Sequence, residues 1–131
     1  DVVHQWLGGG RAPMQPVARR LGAVQDPVVR IFAFIVVAGI TPFVEEVLYR
    51  GALYLPLRNT LGIIPAMAIV SVLFALVHGH VWVIPQLLLL SCILVVLLEY
   101  SRSLWPSIIV HGLNNAVTLA ILWSAHGEVS V

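Results

Sequence analysis

Residues 40–51 read Ile-Thr-Pro-Phe-Val-Glu-Glu-Val-Leu-Tyr-Arg-Gly, and they place three charged side chains inside an almost unbroken apolar stretch. The charged residues are Glu45, Glu46 and Arg50. At the centre of a bilayer each charge costs roughly 2.5–3.5 kcal/mol, whereas each large apolar residue returns only about 0.3–0.6 kcal/mol. The segment therefore needs partners on neighbouring helices, and ionisable groups inside a membrane are candidates for a functional site.

The whole chain has the composition of a membrane protein. Of its 131 residues 60% are hydrophobic and 10% are charged, and the mean hydropathy is +0.98. Because a transmembrane helix needs about 20 apolar residues, we predict an all-α, polytopic transmembrane helix bundle of about four to five helical segments. The net charge of +1 and the lack of a basic run argue against nucleic acid as a partner.

The composition changes along the chain and predicts three parts. They are an N-terminal loop and interfacial segment over residues 1–27, a transmembrane core over 28–124 and a C-terminal tail over 125–131. The first apolar stretch forms either one kinked, tilted helix or two segments joined at Thr41, because Pro42 suits the first position of a helix. The other spans are predicted over residues 63–78, 81–100 and 104–124.

Polar or aromatic residues recur four positions apart on three of the predicted helices. The pairs are Glu46 with Arg50, Phe74 with His78, and His111 with Asn115. Each pair lies on one helical face, and Asn114 and Thr118 extend the last face. Such a stripe should face the bundle interior rather than lipid. Two interpretations are open for it: hydrogen bonds that hold helices together, or a functional site.

The helical spacing separates the two glutamates. Glu46 precedes Arg50 by one turn, which favours an ion pair within the helix. Glu45 lies about 100° around the helix and needs a partner elsewhere, for which His78 is the candidate. A buried carboxylate beside an imidazole and a water can act as a general base. The expected depths of Glu45, His78 and His111 differ by up to about 11 Å at the rise of an α-helix, which kinks and tilt can absorb.

Other kinds of intramembrane proteolysis lack their motifs in this chain. There is no Gly-x-Ser for a serine nucleophile elbow and no His-Glu-x-x-His for a zinc protease. Asp1 and Asp26 lie outside the predicted spans, so no aspartate pair is available in the membrane. A glutamate–histidine site remains if the chain is an enzyme. A further acidic residue, Glu99, ends a predicted span and is expected to pair with Arg102.

Three short motifs resemble those of the CAAX protease and bacteriocin-processing family. They are Glu45-Glu-Val-Leu-Tyr-Arg-Gly51, Phe74-Ala-Leu-Val-His78 and His111-Gly-Leu-Asn-Asn115. Each motif is weak alone, but all three occur in order, each in a hydrophobic span, and the resemblance covers roughly residues 28–122. It implies an intramembrane endopeptidase related to the type II CAAX prenyl protease. It also implies that the chain holds the catalytic core of a larger family fold with additional N-terminal helices.

The resemblance further implies a role for each motif residue. Glu45 together with His78 would activate a water to attack a peptide carbonyl. His111 and Asn115 would donate hydrogen bonds to the oxyanion, and an amide is a suitable donor for that purpose. Glu46 and Arg50 would hold the site together. Phe74 would be a packing wall for His78 or a substrate contact.

The same resemblance bears on cofactors, partners and location. No cofactor is expected. A zinc-dependent variant is the alternative, in which three protein ligands would leave one position open. Its ligands would be Glu45, His78 and His111. The expected partners are membrane lipid and a membrane-associated, possibly lipidated, peptide or protein substrate. The expected location is the bacterial cytoplasmic membrane, and the arginines that precede the first span predict a cytoplasmic N-terminal side.

Two functions other than proteolysis are compatible with these residues. A non-enzymatic membrane protein, such as a bacteriocin-immunity or scaffold protein, could use the same fold. Glutamate and histidine clusters also serve in transporters and proton relays, although no inverted repeat is visible in the sequence.

Overall fold

The computed structural model describes residues 16–127 of the chain. This part contains five helices and no β-strand, which confirms the predicted all-α class. The helices are α1 (Pro16–Gly22), α2 (Pro27–Leu61), α3 (Ile63–Val77), α4 (Ile84–Ser101) and α5 (Trp105–Gly127). A short 3-10 turn, Val81–Val83, leads into α4.

Three of the described helices are long and apolar enough to cross a membrane. They are α2, α4 with the turn before it, and α5. The 15 residues of α3 extend over about 22 Å, which is shorter than a hydrocarbon core of about 30 Å. The span predicted over residues 63–78 is therefore a shorter apolar helix.

α2 runs without a break for 35 residues, so the single-helix alternative is confirmed and the two-segment alternative is wrong. Pro42 lies inside it, where the ring of a proline clashes with the carbonyl four residues earlier in a regular α-helix. A π-helical turn over Ile35–Ile40 accommodates the ring, because its wider spacing displaces that carbonyl. A second π-helical turn, Val47–Tyr54, precedes Pro56. The two turns bracket Thr41–Glu46, the segment that carries both glutamates.

The helices α2 to α5 form a closed ring. α2 packs against α3 and α5, and α4 also packs against α3 and α5. α1 packs against α5, where the indole of Trp123 donates a 3.0 Å hydrogen bond to the carbonyl of Leu21. The guanidinium of Arg30 lies 5.4 Å from the centre of the same indole ring. These contacts tie the start of α2 and the end of α5 together.

The exterior of the described part is apolar, and its interior contains both apolar and polar side chains. The apolar core includes Tyr54, Val70 and Val95. Large apolar side chains are exposed along α2, α3, α4 and α5, as expected of surfaces that face lipid. Six polar or charged residues are also buried, namely Glu46, Arg50, Ser71, Ser91, Ser107 and His111. Several of them lie along α2 and on the faces of α4 and α5 turned toward it. The ring of helices thus encloses a polar centre.

Glu99 connects α4 to α2 and corrects one prediction. Its Oε2 accepts a 3.0 Å hydrogen bond from Arg58 Nη2, and its Oε1 accepts one of 3.0 Å from the hydroxyl of Tyr54. We predicted Arg102 as its partner, and that pairing is wrong. Arg102 has a φ of 56°, so α4 ends there, and it forms no ion pair with Glu99 among the described residues.

The described residues cover the predicted terminal segments only in part. Of residues 1–27, the described portion contains α1 and the cap of α2, in which Asp26 accepts hydrogen bonds from the backbone N–H groups of Val28 and Val29. α5 continues to Gly127, into the predicted tail. Residues 1–15 and 128–131 lie outside the described part, and the three-part division of the chain stays a prediction.

Candidate active site

Glu46 and Arg50 form the buried base of the site. Arg50 Nη1 lies 3.1 Å from Glu46 Oε1, and both side chains are completely buried, which confirms the predicted ion pair. Arg50 Nη2 also donates to Ser91 Oγ at 2.9 Å and to the backbone oxygen of Ser91 at 3.2 Å. These bonds fix the guanidinium between α2 and α4. Ser91 was missed by sequence reasoning, because one serine in an apolar run gives no sign of its partner.

His111 lies between the two glutamates. Its Nδ1 is 2.9 Å from Glu46 Oε1, and its Nε2 is 3.5 Å from Glu45 Oε2. The imidazole is almost fully buried, whereas a quarter of the Glu45 side chain is exposed. Glu45 therefore pairs with α5, and His78, its predicted partner on α3, does not form that ion pair. The cause is the close packing of α5 on α2, which brings His111 to both carboxylates.

His78 is held by its own helix. Its Nδ1 donates a 2.8 Å hydrogen bond to the backbone oxygen of Phe74, because a carbonyl can only accept. This bond sets the tautomer of the neutral ring and leaves Nε2 with a free lone pair. The ring is half-buried at the end of α3. His78 thus presents a basic nitrogen that no other described side chain occupies.

Phe74 packs against the side chains around it. The centre of its ring lies 4.9 Å from that of His78 and 5.6 Å from that of His111, so the two imidazoles flank one phenyl group. The Arg50 guanidinium carbon lies 4.8 Å from the same ring centre, and Tyr49 meets the ring edge to face at 5.2 Å. Of the two roles considered for Phe74, the packing wall is the one that these contacts support.

Asn115 lies one turn beyond His111 and contacts the backbone of α2. Its Nδ2 donates a 3.0 Å hydrogen bond to the carbonyl of Val37, and its Oδ1 accepts a longer bond of 3.4 Å from Asn114. The amide has a second N–H that these bonds do not use. Asn115 is half-buried. The structure thus brings Glu45 to His111 and both imidazoles to Phe74, whereas Asn115 contacts α2 one turn away.

The rest of the polar stripe on α5 does not face the interior. Asn114 and Thr118 are both exposed. The Thr118 hydroxyl donates a 2.9 Å hydrogen bond to the backbone oxygen of Asn114, one turn earlier. A threonine that satisfies its hydroxyl on its own helix needs no interior partner, so the prediction of an inward-facing stripe is correct only for His111 and Asn115.

Gly112 sets the distance between α5 and α2. A methyl group built at this position would lie 2.6 Å from the backbone oxygen of Ala38. Only glycine therefore allows the approach that brings His111 to the glutamates and Asn115 to Val37. The sequence alone does not indicate this role for Gly112, although its position beside a buried histidine in an apolar helix is a signal for close helix packing.

The residues considered for zinc do not form a metal site as they are arranged here. Within residues 16–127, no group of three His, Cys, Asp or Glu side chains is placed to hold one ion. Both ring nitrogens of His111 face carboxylates, and the Nδ1 of His78 is bonded to its own helix.

Fold and site together define a polytopic helical membrane protein with a polar centre of two glutamates, two histidines, an arginine and an asparagine. A sequence search supports a closer assignment, because the model of the family described as type II CAAX prenyl endopeptidase Rce1-like matches residues 27–117. The chain belongs to this family. The match confirms the relationship that the three motifs predicted, and it covers all of them. No curated protein and no solved structure was found to match.

Membership in this family supports peptidase activity, because it is a protease family. Together with the three helices that are long and apolar enough to span a bilayer, it makes the chain a membrane protein of the CAAX protease type.

Proposed function

We propose that the chain is an intramembrane endopeptidase that hydrolyses a peptide bond of a membrane-associated or lipidated peptide, with Glu45 as the general base. The observation that carries the proposal is the unequal environment of the two adjacent glutamates. Glu46 is completely buried and paired with Arg50, whereas a quarter of the Glu45 side chain is exposed. Of the two carboxylates, only that of Glu45 is open to a water and a substrate.

The attacking water is placed between Glu45 and His78 in this proposal. The Nε2 of His78 has a free lone pair, because its Nδ1–H is committed to the Phe74 carbonyl. Phe74 also contacts the imidazoles of both His78 and His111. A water that donates one hydrogen bond to Glu45 and one to His78 Nε2 would lose a proton to the carboxylate as it attacks the carbonyl carbon.

His111 and Asn115 supply the donors for the oxygen of the tetrahedral intermediate. Both nitrogens of His111 face carboxylates, and the imidazolium form donates from both. Nε2 would exchange its 3.5 Å contact with Glu45 for the developing oxyanion. One preorganised donor of this type is worth about 3–4 kcal/mol.

The substrate class follows from the apolar exterior. The faces of α2 and α5 beside the site expose large apolar side chains, such as Ile35 and Ile109. A substrate that approaches them loses less free energy of hydration if its own contact surface is apolar. We therefore propose a peptide that is embedded in the membrane or carries a lipid, at a bacterial cytoplasmic membrane with the N-terminal side of α2 in the cytoplasm.

The decisive experiment is a cleavage assay in proteoliposomes with candidate lipidated and membrane-inserted peptides. Glu45→Gln should abolish cleavage while insertion and helix content stay unchanged. Glu99→Gln is the matched control, because it removes the charge of another membrane carboxylate, away from the histidines, and should retain cleavage. Full cleavage by Glu45→Gln would refute the mechanism.

The same assay separates the alternatives. Loss of cleavage after chelation, with recovery on addition of Zn²⁺, would favour the zinc-dependent variant. A non-enzymatic immunity or scaffold protein would keep its biological effect after Glu45→Gln, His78→Ala and His111→Ala.

A further inference from the structure

The carbonyl of Val37 has no backbone donor within α2. In the π-helical turn Ile35–Ile40, the N–H of Thr41 donates to the oxygen of Val36, five residues earlier. In the same register the donor for Val37 would be residue 42, which is proline and has no N–H. In an α-helical register the donor would be Thr41, whose N–H already serves Val36.

An unpaired carbonyl is costly in the apolar part of a membrane, where no water replaces the missing donor. Here the side chain of Asn115 provides the donor, through the 3.0 Å bond from Nδ2 to Val37 O. Gly112 makes this bond possible, because it lets α5 approach the adjacent carbonyl of Ala38. The bond therefore joins an oxygen freed on α2 to a specific amide on α5.

We propose that Pro42 is a positioning residue for Asn115. By removing one backbone donor, Pro42 leaves the Val37 oxygen free, and this oxygen fixes the Asn115 amide by one of its two N–H groups. The other N–H is then held toward the site. The consequence for catalysis rests on the proposed function, in which Asn115 donates to the oxyanion; the structural link from Pro42 to Asn115 does not.

The alternative is a purely structural interpretation, in which Asn115 and Val37 merely hold two helices together and Pro42 is a tolerated kink. The two interpretations differ on Pro42→Ala. An alanine restores an N–H at position 42, so it offers Val37 O a donor within α2. Under our proposal Asn115 then loses its fixed acceptor, whereas under the structural interpretation the hydrogen bond from Asn115 to Val37 is unaffected.

Selective isotope labelling can observe the Val37 carbonyl directly. With ¹³C at the valine carbonyls and ¹⁵N at the alanine amides, a correlation across the peptide bond appears only where valine precedes alanine. The sequence contains two such pairs, Val17–Ala18 and Val37–Ala38. Val17 lies in α1, away from Asn115, and serves as the internal reference in the full-length protein in detergent micelles.

The expected result is a conditional change of the Val37 signal. Asn115→Leu removes the donor and should move the Val37 carbonyl resonance upfield, with the Val17 resonance unchanged. In the Pro42→Ala background the same Asn115→Leu change should leave the Val37 resonance where it is. Thr118→Val is the matched control in both backgrounds, because the Thr118 hydroxyl bonds to the backbone of its own helix and contacts neither Asn115 nor Val37 among the described hydrogen bonds.

Kinetics test whether this positioning matters. Pro42→Ala should lower kcat by about ten- to a hundredfold and leave KM within about twofold, since the amide is displaced without loss of substrate contacts. Pro56→Ala is the control: Pro56 also follows a π-helical turn of α2 but is not adjacent to the site. It should keep kcat.

Two results would overturn the link from Pro42 to Asn115: a Val37 resonance that is insensitive to Asn115→Leu, or one that responds equally in the Pro42→Ala background. Full kcat in Pro42→Ala would overturn its consequence for catalysis. If Pro42→Ala does not fold, Pro42→Ser restores the same N–H and takes its place, and the Asn115→Leu spectrum of the otherwise unchanged protein still decides the first point. Persistent cleavage by Glu45→Gln would instead refute the proposed function, and the spectra would still decide the link from Pro42 to Asn115.

Discussion

Glu46 Oε1 is shared between two helices: it lies 2.9 Å from His111 Nδ1 on α5 and 3.1 Å from Arg50 Nη1 on α2. The second oxygen, Oε2, is buried and has no hydrogen-bond partner among the described residues. One oxygen of the Glu46 carboxylate thus contacts both the guanidinium at the base of the site and the imidazole of His111.

Glu46→Gln should destabilise the protein by about 3–5 kcal/mol, because it leaves the buried Arg50 without its counter-charge. The measurement is thermal unfolding in detergent, followed by circular dichroism. The double variant Glu46→Gln, Arg50→Gln is the control, since it removes both charges and should recover much of the loss. A double variant less stable than Glu46→Gln alone would contradict the pairing.

The two histidines should differ in their effect on stability. His78→Gln should lower kcat by about 10²- to 10⁴-fold, as loss of an acid–base group does, and leave the melting temperature nearly unchanged. Its one described hydrogen bond is to its own helix. His111→Gln should lower both kcat and the melting temperature, because His111 joins α5 to α2. Equal melting temperatures for the two variants would show that His111 does not stabilise the helix contact.

Gly112→Ala should destabilise the protein by about 1–3 kcal/mol, as overpacking does, and should abolish cleavage. The added methyl group would lie 2.6 Å from the backbone oxygen of Ala38, so α5 must move away from α2. Gly39→Ala is a matched control, since a methyl group there has nothing within 4 Å. Paired melting curves and cleavage rates check the prediction, and a Gly112→Ala protein as active as Gly39→Ala would refute it.

Arg58→Gln should cost about 1 kcal/mol of stability, in the range of partly exposed ion pairs, whereas Arg102→Gln should cost almost nothing. Arg58 contacts Glu99 with two nitrogens across the α2–α4 interface. Arg102 terminates α4 in a left-handed conformation and forms no ion pair with Glu99 among the described residues. Chemical denaturation of both variants gives the difference, and equal losses would restore the pairing expected from the sequence.

Local spacing was sufficient to predict the helices and the ion pair. The lengths of the hydrophobic runs predict the all-α bundle, because the dimensions of an α-helix and the thickness of a bilayer are fixed. The four-residue spacing of Glu46 and Arg50 likewise determines that they share a face. The three motifs were enough to identify the family, since they occur in order and each lies in its own apolar segment.

Contacts between helices could not be predicted in the same way. Glu45 was expected to pair with His78, but the separation of α5 from α2 is determined by Gly112, whose effect is visible only when both backbones are placed. Arg102 was paired with Glu99 because helix termination in a left-handed conformation is not encoded in the spacing. The carbonyl freed at Val37 depends on a π-helical register, which a hydropathy pattern does not contain.

The number of residues in the π-helical turn Ile35–Ile40 also determines how the first part of α2 is rotated about the helix axis relative to the rest. A π turn encloses one residue more than an α turn, so deletion of one residue within it would restore an α-helical register. Residues Pro27–Phe34 would then rotate by about 100° relative to the glutamates, and Arg30 would be carried away from Trp123. Within this family, a sequence one residue shorter at this turn would thus have to place a different side chain against the end of α5.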